Sequence, residues 1–497
     1  MGDSRLESPC QPLPARLGFA AKIREFRDMP IRPSRALFAA VTLAVAVPLH
    51  AQTDGVLTRQ YDDGGIYEGE FRDGLQHGIG TFSLPNGFEY TGDWVEGEIS
   101  GEGVARYPSG AVYEGSFVEG SPHGQGEMIF PDGSSYVGEW VEGRIEGQGE
   151  RRFANDSVFV GSFVDGQPHG QAVLTRPDGY RYEGDWVAGV REGEGRIEYP
   201  DGSIYEGTFA ADQPDGEGVF TTPDGLRYEG QWREGQLHGE GELVQPNGDR
   251  HIGEFRAGLR HGPARVEQAD GLVFEGNFVD DRREGEGRLT GPDGYLYEGT
   301  WVDGQIAGEG RLELPDGSVY EGEFRAGLPD GTGTITYADG ATYEGEWRDG
   351  HFHGAGRAVF EDGAVYEGSF VQGLPDGDGV MSFADGRIYT GSFAGGELHG
   401  EGEMTYPDGA VYTGMFSEGT RDGQGRIELA DGFVYEGLWS GGEMTGEGVA
   451  TYSTGDVYEG EFRDGQRHGR GVLRYASGEV LSGDWEDGAI IVRDDED

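Results

Sequence analysis

"GGIYEGEFRDGLQHGIGTFSLPNG", residues 64–87, sets a pattern that the chain then repeats almost to its end. Its lead aromatic is Tyr67; counting from that residue as offset zero, Gly69 stands at offset two and Phe71 at offset four. The same code recurs every 23 residues, without insertion or deletion, nineteen times from Tyr67 to Leu481. Offset two is Gly in all nineteen copies and offset four is Phe or Trp in all nineteen, and all eight Trp of the protein sit there. Self-similarity at a fixed period marks a repeat array and has to be recognised before any domain count.

The stretch Y-x-G-x-[FW] has period two. On a strand its three residues share one face, and the intervening Glu, Asp, Ser or Thr points the other way. The glycine between two rings is a poor strand former, but it leaves room for a ring of a neighbouring strand to lie over the backbone. A turn at Gly74 leads to a second strand, "HGIGTFSL" in the first copy, with glycines at offsets eleven and thirteen and an apolar residue at offset fifteen in nearly every copy, Arg151 being an exception. A Pro-Asp-Gly or Pro-Asn-Gly turn then resets the chain. Each repeat is thus predicted to be a β-hairpin, and lone hairpins are marginal in water, so neighbours must pair edge to edge. The expected fold is all-β: an elongated, single-layer, twisted antiparallel sheet of about 38 strands, roughly 180 Å long at ~4.8 Å per strand.

The unit "YEGEFRDGLQHGIGTFSLPNG" resembles the MORN repeat (membrane occupation and recognition nexus), over residues 64 to about 488. The resemblance implies elongated single-layer sheets of hairpins, in agreement with the period-two reading. Departures are few: His251 and Leu481 replace the lead aromatic ring, Asp212 and Asp281 replace the turn glycine, and "NDS" at 155–157 lacks the glycine of the second turn. Leu481 lies in the last copy, where a modified cap is expected. The first six copies alternate Phe and Trp at offset four, in step with His77, Ser100, His123, Glu146, His169 and Glu192 at offset ten, the trace of a duplicated double unit.

Charge narrows the partners. Of 497 residues, 92 are acidic and 38 basic, a formal net charge of -54, and no lysine follows Lys22. Such a surface repels nucleic acid and anionic lipid, whose recognition rests on clustered Lys and Arg. Cys10 is the single cysteine, so neither a disulfide within the chain nor a thiolate metal site is expected. Arg32 and Arg35 precede the apolar run "ALFAAVTLAVAV" (36–47), followed by Pro48 and Ala51, the layout of a secretory signal. The expected organisation is a signal region over 1–51, with a true start at Met29 and cleavage after Ala51. A cap and partial repeat follow over 52–66, the array over 67–488, and an acidic tail over 489–497. Export to a periplasm or cell surface follows from that reading.

The motifs offer little chemistry. No G-x-G copy precedes a helix or carries the lysine of a phosphate loop. The turn carboxylates (Asp132, Asp178, Asp201, Asp224) and the histidines at offset ten, such as His238 and His261, recur once per repeat, about 10 Å apart, too far to share one ion. No metal, cofactor or catalytic residue is assigned, and only diffuse screening by divalent cations is expected. What remains is the aromatic face. Its candidate partner-binding residues are Tyr67, Phe71, Tyr90, Trp94, Tyr136, Trp140, Tyr182, Trp186, Tyr228, Trp232, Tyr297, Trp301, Tyr343, Trp347, Tyr435 and Trp439. These rings are expected to pack as the core of the sheet and also to leave an apolar groove for a protein partner or a second copy. The leading expectation is a non-enzymatic exported scaffold. Membrane or phospholipid association, which the resemblance implies, is disfavoured by the acidic charge. A binder of envelope carbohydrate or cationic ligands is the third reading.

Overall fold

The structure, a computed structural model, describes residues 56–491. They divide into an N-terminal half ending at Ala269 and a C-terminal half beginning at Asp270. Among the described residues there are strands and turns and no helix. In each half every strand pairs antiparallel with its neighbours in sequence, as expected from the two-residue period. The first repeat shows the plan: a seven-residue lead strand, Ile66–Arg72, and a nine-residue return strand, Leu75–Ser83. The signal region and residues 492–497 lie outside the described residues. The expected cap contains a short strand, Leu57–Gln60, paired with Ile66 to Gly69. At the other end, Ala489–Ile490 pairs with Trp485 and Glu486, just beyond the predicted limit of the array.

Two turns and one bulge fix the register. Asp73 and Gly74 both have positive φ, 51° and 83°, the type I′ geometry that matches strand twist. The register then shifts between Gly69 and Glu70: Gly69 faces Gly80, but Glu70 faces His77. Gly78, at φ 66°, absorbs the extra residues as a β-bulge. In the connecting turn the Leu84 N–H donates to Phe88 O at 2.8 Å, and Asn86 Oδ1 accepts the Phe88 N–H at 3.0 Å. Hairpin turns also bind the preceding repeat, as Gly97 N–H does with Gln76 O at 3.0 Å.

The core is a column of rings along one face. Tyr67 meets Phe71 of its own repeat at 5.0 Å and Trp94 of the next at 5.1 Å, both edge to face. Tyr182 does the same with Trp186 and Phe209. Such pairs add about 0.5–1.5 kcal/mol each beyond burial. The lead ring folds back over the glycines of its own hairpin, and its hydroxyl donates to the carbonyl at offset three (Tyr182 to Asp185 O, 3.0 Å). A Cβ on Gly184 or on Gly195 would stand 2.6 Å from the Tyr182 hydroxyl. So the ring over Gly184 belongs to its own strand, rather than to a neighbouring one as the sequence reading had it.

This contact explains a covariation. Offset thirteen is Gly in the repeats led by Tyr, but in those led by Phe159 and His251 it is Ala172 and Ala264, facing Gly161 and Gly253. In those two hairpins, where no phenol lies across, a methyl group fits; Phe274 keeps Gly287, where an added Cβ would stand 2.8 Å from its ring.

The departures are also accounted for. Asp212, at φ 68°, takes the turn-glycine place and is clamped by Arg191 of the preceding repeat. The Arg191 Nε donates to Asp212 Oδ1 at 3.1 Å, and another guanidinium nitrogen donates to Asp212 O at 2.5 Å. Asp281 and Asp156 likewise adopt positive φ, 70° and 61°. His251 occupies the ring column beside Phe255 at 4.9 Å.

Candidate functional site

The candidate aromatic residues are brought together, but they are covered. Tyr67, Tyr90, Trp94, Tyr136, Trp140, Tyr182, Trp186, Tyr228, Trp232, Tyr297, Trp301, Tyr343, Trp347, Tyr435 and Trp439 keep between 0 and 8% of their surface, and Phe71 is half-buried. Burial pushes the Tyr343 and Tyr435 hydroxyls up to about 12. The expected open groove is therefore closed along this column, and the cover comes from offset nine. Phe352 stacks on Tyr343 at 3.8 Å. Arg421 lies 4.3 Å from the Trp439 ring and 5.6 Å from Tyr412, while donating to Gly442 O at 2.6 Å. Arg467 does likewise over Trp485, and Leu237 and Ile306 are buried there. Offset nine holds Gln, Ile, Pro, Arg, Leu, Phe or Met, so no single residue type advertises it in the sequence.

The accessible aromatic surface lies one register further out, at offset seventeen, beside the connecting turns. In the C-terminal half this position holds Tyr337, Phe360, Phe383, Tyr406, Tyr452 and Tyr475. Tyr337, Phe360 and Tyr475 keep 37, 40 and 37% of their surface, and the others are half-buried. Small residues pair with several of them: Ala341, Ala364 and Ala410 accept the N–H of Tyr337, Phe360 and Tyr406. The rings therefore stand as a ladder from Tyr337 to Tyr475, adjacent rungs about 10 Å apart, interrupted at Leu429. Turn carboxylates flank them (Asp339, Asp362, Asp408), each accepting a backbone N–H two residues on. The sequence signal was there: an aromatic three residues before the glycine of the connecting turn.

The opposite face is acidic. In the C-terminal half a groove of 1140 Å³ runs across it, lined by Glu286, Glu298, Glu309, Glu321, Glu323, Glu344 and Glu346 against Arg311. Hydrogen bonds from the Thr332 hydroxyl (2.8 Å) and N–H hold the Glu323 carboxyl below the usual carboxylate range. Arg288 pairs with Glu298 at 3.1 Å in the open, where such pairs contribute little. Among the described residues no group of three metal-binding side chains comes together, and no helix is long and apolar enough to cross a membrane.

No curated protein matches the chain. Among solved structures, it is similar to the TCP domain of SAS-4 from Drosophila melanogaster, in complex with a proline-rich motif of Ana2. That similarity has 15% identity and a TM-score of 0.20, covering 43% of this chain and 99% of that one. The TCP10 domain of Danio rerio CPAP, in complex with a STIL peptide, gives 17% identity and a TM-score of 0.16, covering 55% and 96%. A streptogramin B lyase gives 11% identity and 0.11, covering 58% and 89%. Scores this low carry no argument about function. The MORN repeat matches eighteen times in tandem, from 67–88 through 458–480, leaving the copy led by Leu481 outside. With the hairpin register and the ring column, these matches establish that the chain belongs to the MORN-repeat family.

Proposed function

We propose that this MORN-repeat protein is an exported, non-enzymatic scaffold that holds protein partners along its ladder of half-exposed rings. The observation that carries the reading is the contrast within one face: the central column is sealed, whereas at offset seventeen Tyr337, Phe360 and Tyr475 stay open and Phe383, Tyr406 and Tyr452 half-open. Exposed aromatic surface is enriched in interface cores. The acidic face adds a long-range field that favours basic partners and accelerates their encounter. Export rests on the signal-like layout of residues 32–51.

The test replaces Tyr337, Phe360, Phe383 and Tyr406 together by Ser and compares proteins retained from an envelope extract. The reading expects unchanged folding by circular dichroism and loss of specific retained proteins. Equal retention by both forms rejects it.

A further inference from the structure

We infer that the two ends of the sheet are the two parts of one split repeat, and that a second copy of this chain completes it head to tail. In a complete hairpin, offsets minus one to two of the lead strand pair with offsets sixteen to thirteen of the return strand, as Glu89 to Gly92 pair with Arg106 to Gly103. The last lead strand, Val480–Glu486, has its own return chain only at Ala489 and Ile490, and Ile491 N–H reaches Asp484 O at 2.8 Å. Its segment from Val480 to Gly483 therefore has one edge without a strand partner among the described residues. At the other end, Leu57–Gln60 occupies offsets thirteen to sixteen of a repeat with no described lead strand. It pairs with the first repeat on one side only. One end lacks the segment that the other supplies, with no overlap. Joining them pairs Val480 with Gln60, Leu481 with Arg59, Ser482 with Thr58 and Gly483 with Leu57.

The side chains fit the same register. Leu481 is the one lead position among nineteen without a ring, and Leu57 is the one described offset-thirteen residue larger than Ala. A tyrosine at 481 would lie across Leu57, the clash that keeps offset thirteen glycine elsewhere. Two leucines instead fill the space of one tyrosine and one glycine. Above Gly483 the Ile490 side chain alone stands within reach of an added Cβ, at 3.1 Å, so only that flexible side chain has to turn aside to admit Leu57. Arg59 has an internal precedent: Arg151 holds offset fifteen opposite Tyr136, with its guanidinium 5.1 Å from the Phe153 ring, as that of Arg59 is 5.3 Å from Tyr61. Leu57 and Val480 each leave 57% of their surface exposed, as apolar side chains at an uncovered edge. The residues after Ile491 carry Asp494 and Glu496 where other repeats carry glycine or alanine and, in nearly every copy, an apolar residue, so the chain's own tail is a poor substitute. Unpaired edges of this kind are templates for strand addition, and a head-to-tail contact propagates instead of stopping at a dimer.

The joint does not use the aromatic ladder, so it stands or falls apart from partner binding. The experiment is light scattering on the full chain over about a hundredfold range of concentration. The expected result is mass rising to two copies and beyond. Thr58→Pro should weaken association by at least about tenfold, because proline removes an edge donor and strand geometry. Leu481→Tyr should also weaken it, and adding Leu57→Gly should restore it by recreating the Tyr–Gly pair. Thr58→Cys with Ser482→Cys, in a Cys10→Ser background, should give disulfide-linked multimers on oxidation. A monomer at every concentration, failure of Leu57→Gly to rescue, or a disulfide closing within single chains would each overturn the inference.

Discussion

Gly195 lies under the Tyr182 ring: a Cβ added there would stand 2.6 Å from the hydroxyl, which donates at 3.0 Å to Asp185 O. The phenol thus sets both the identity of the glycine and the tightness of the hairpin. Gly195→Ala should destabilise the protein by about 1–3 kcal/mol through overpacking. In a Tyr182→Phe background the same change should cost clearly less, because Phe159 already tolerates Ala172. Urea unfolding of the four proteins in this cycle gives the coupling, and additive effects would show that the hydroxyl is not what excludes the methyl.

The arginine cover is a separate source of stability. Arg421→Ala removes a guanidinium stacked on Trp439 and a hydrogen bond to the Gly442 carbonyl. A loss of about 1–3 kcal/mol is expected from the stacking, the bond and the covered apolar surface. Arg421→Met keeps the apolar cover and should lose less, as read from denaturant midpoints.

His251 gives the fold a weak point in mild acid. Burial and the nearby Arg260 pull its imidazole down to about 3, and a hydrogen bond to the Glu254 backbone offsets this only in part. The ring is neutral in the folded chain, whereas the unfolded chain takes up the proton near pH 6.5. Stability therefore falls as pH drops below that value, by up to about 1.4 kcal/mol per unit, until the folded group titrates. His251→Phe, a ring compatible with Ala264, should remove that slope between pH 6.5 and 5. An unchanged difference between midpoints at these two pH values would count against it.

The column of phenols predicts the opposite limit. Burial pushes Tyr113, Tyr366, Tyr389 and Tyr412 up to about 12. The unfolded chain releases these protons near pH 10, so stability is lost as pH rises from 10 towards 12. Phenolate absorbance should show a small early phase from exposed rings, then a large phase coincident with unfolding by circular dichroism. A single smooth titration that precedes unfolding would mean that the lead rings are open to solvent.

The 23-residue period, the hairpins, the turns and the ring face were legible in the sequence because strand periodicity and turn glycines are local signals. The bulge at Gly78 was not, since its glycine reads like its neighbours until the register with Glu70 is known. The cover escaped for a different reason: Ile99, Pro122, Phe352 and Arg421 share a position and no chemistry. Offset nine meets the ring only after the bulge shifts the strand. Asp212 stood in the sequence only as a replaced turn glycine, because Arg191, which holds it, lies 21 residues earlier. The ladder was visible as a recurring aromatic before the turn, but its exposure depends on what the central column has already sealed.

Nitration of the folded chain by tetranitromethane, mapped by mass spectrometry, tests most directly which aromatic surface is open. The account predicts modification at Tyr337 and Tyr475, which keep 37% of their surface, and protection of Tyr67, Tyr182 and Tyr343, which keep none. Nitration of those lead tyrosines in the folded protein at rates like that of Tyr337 would contradict it.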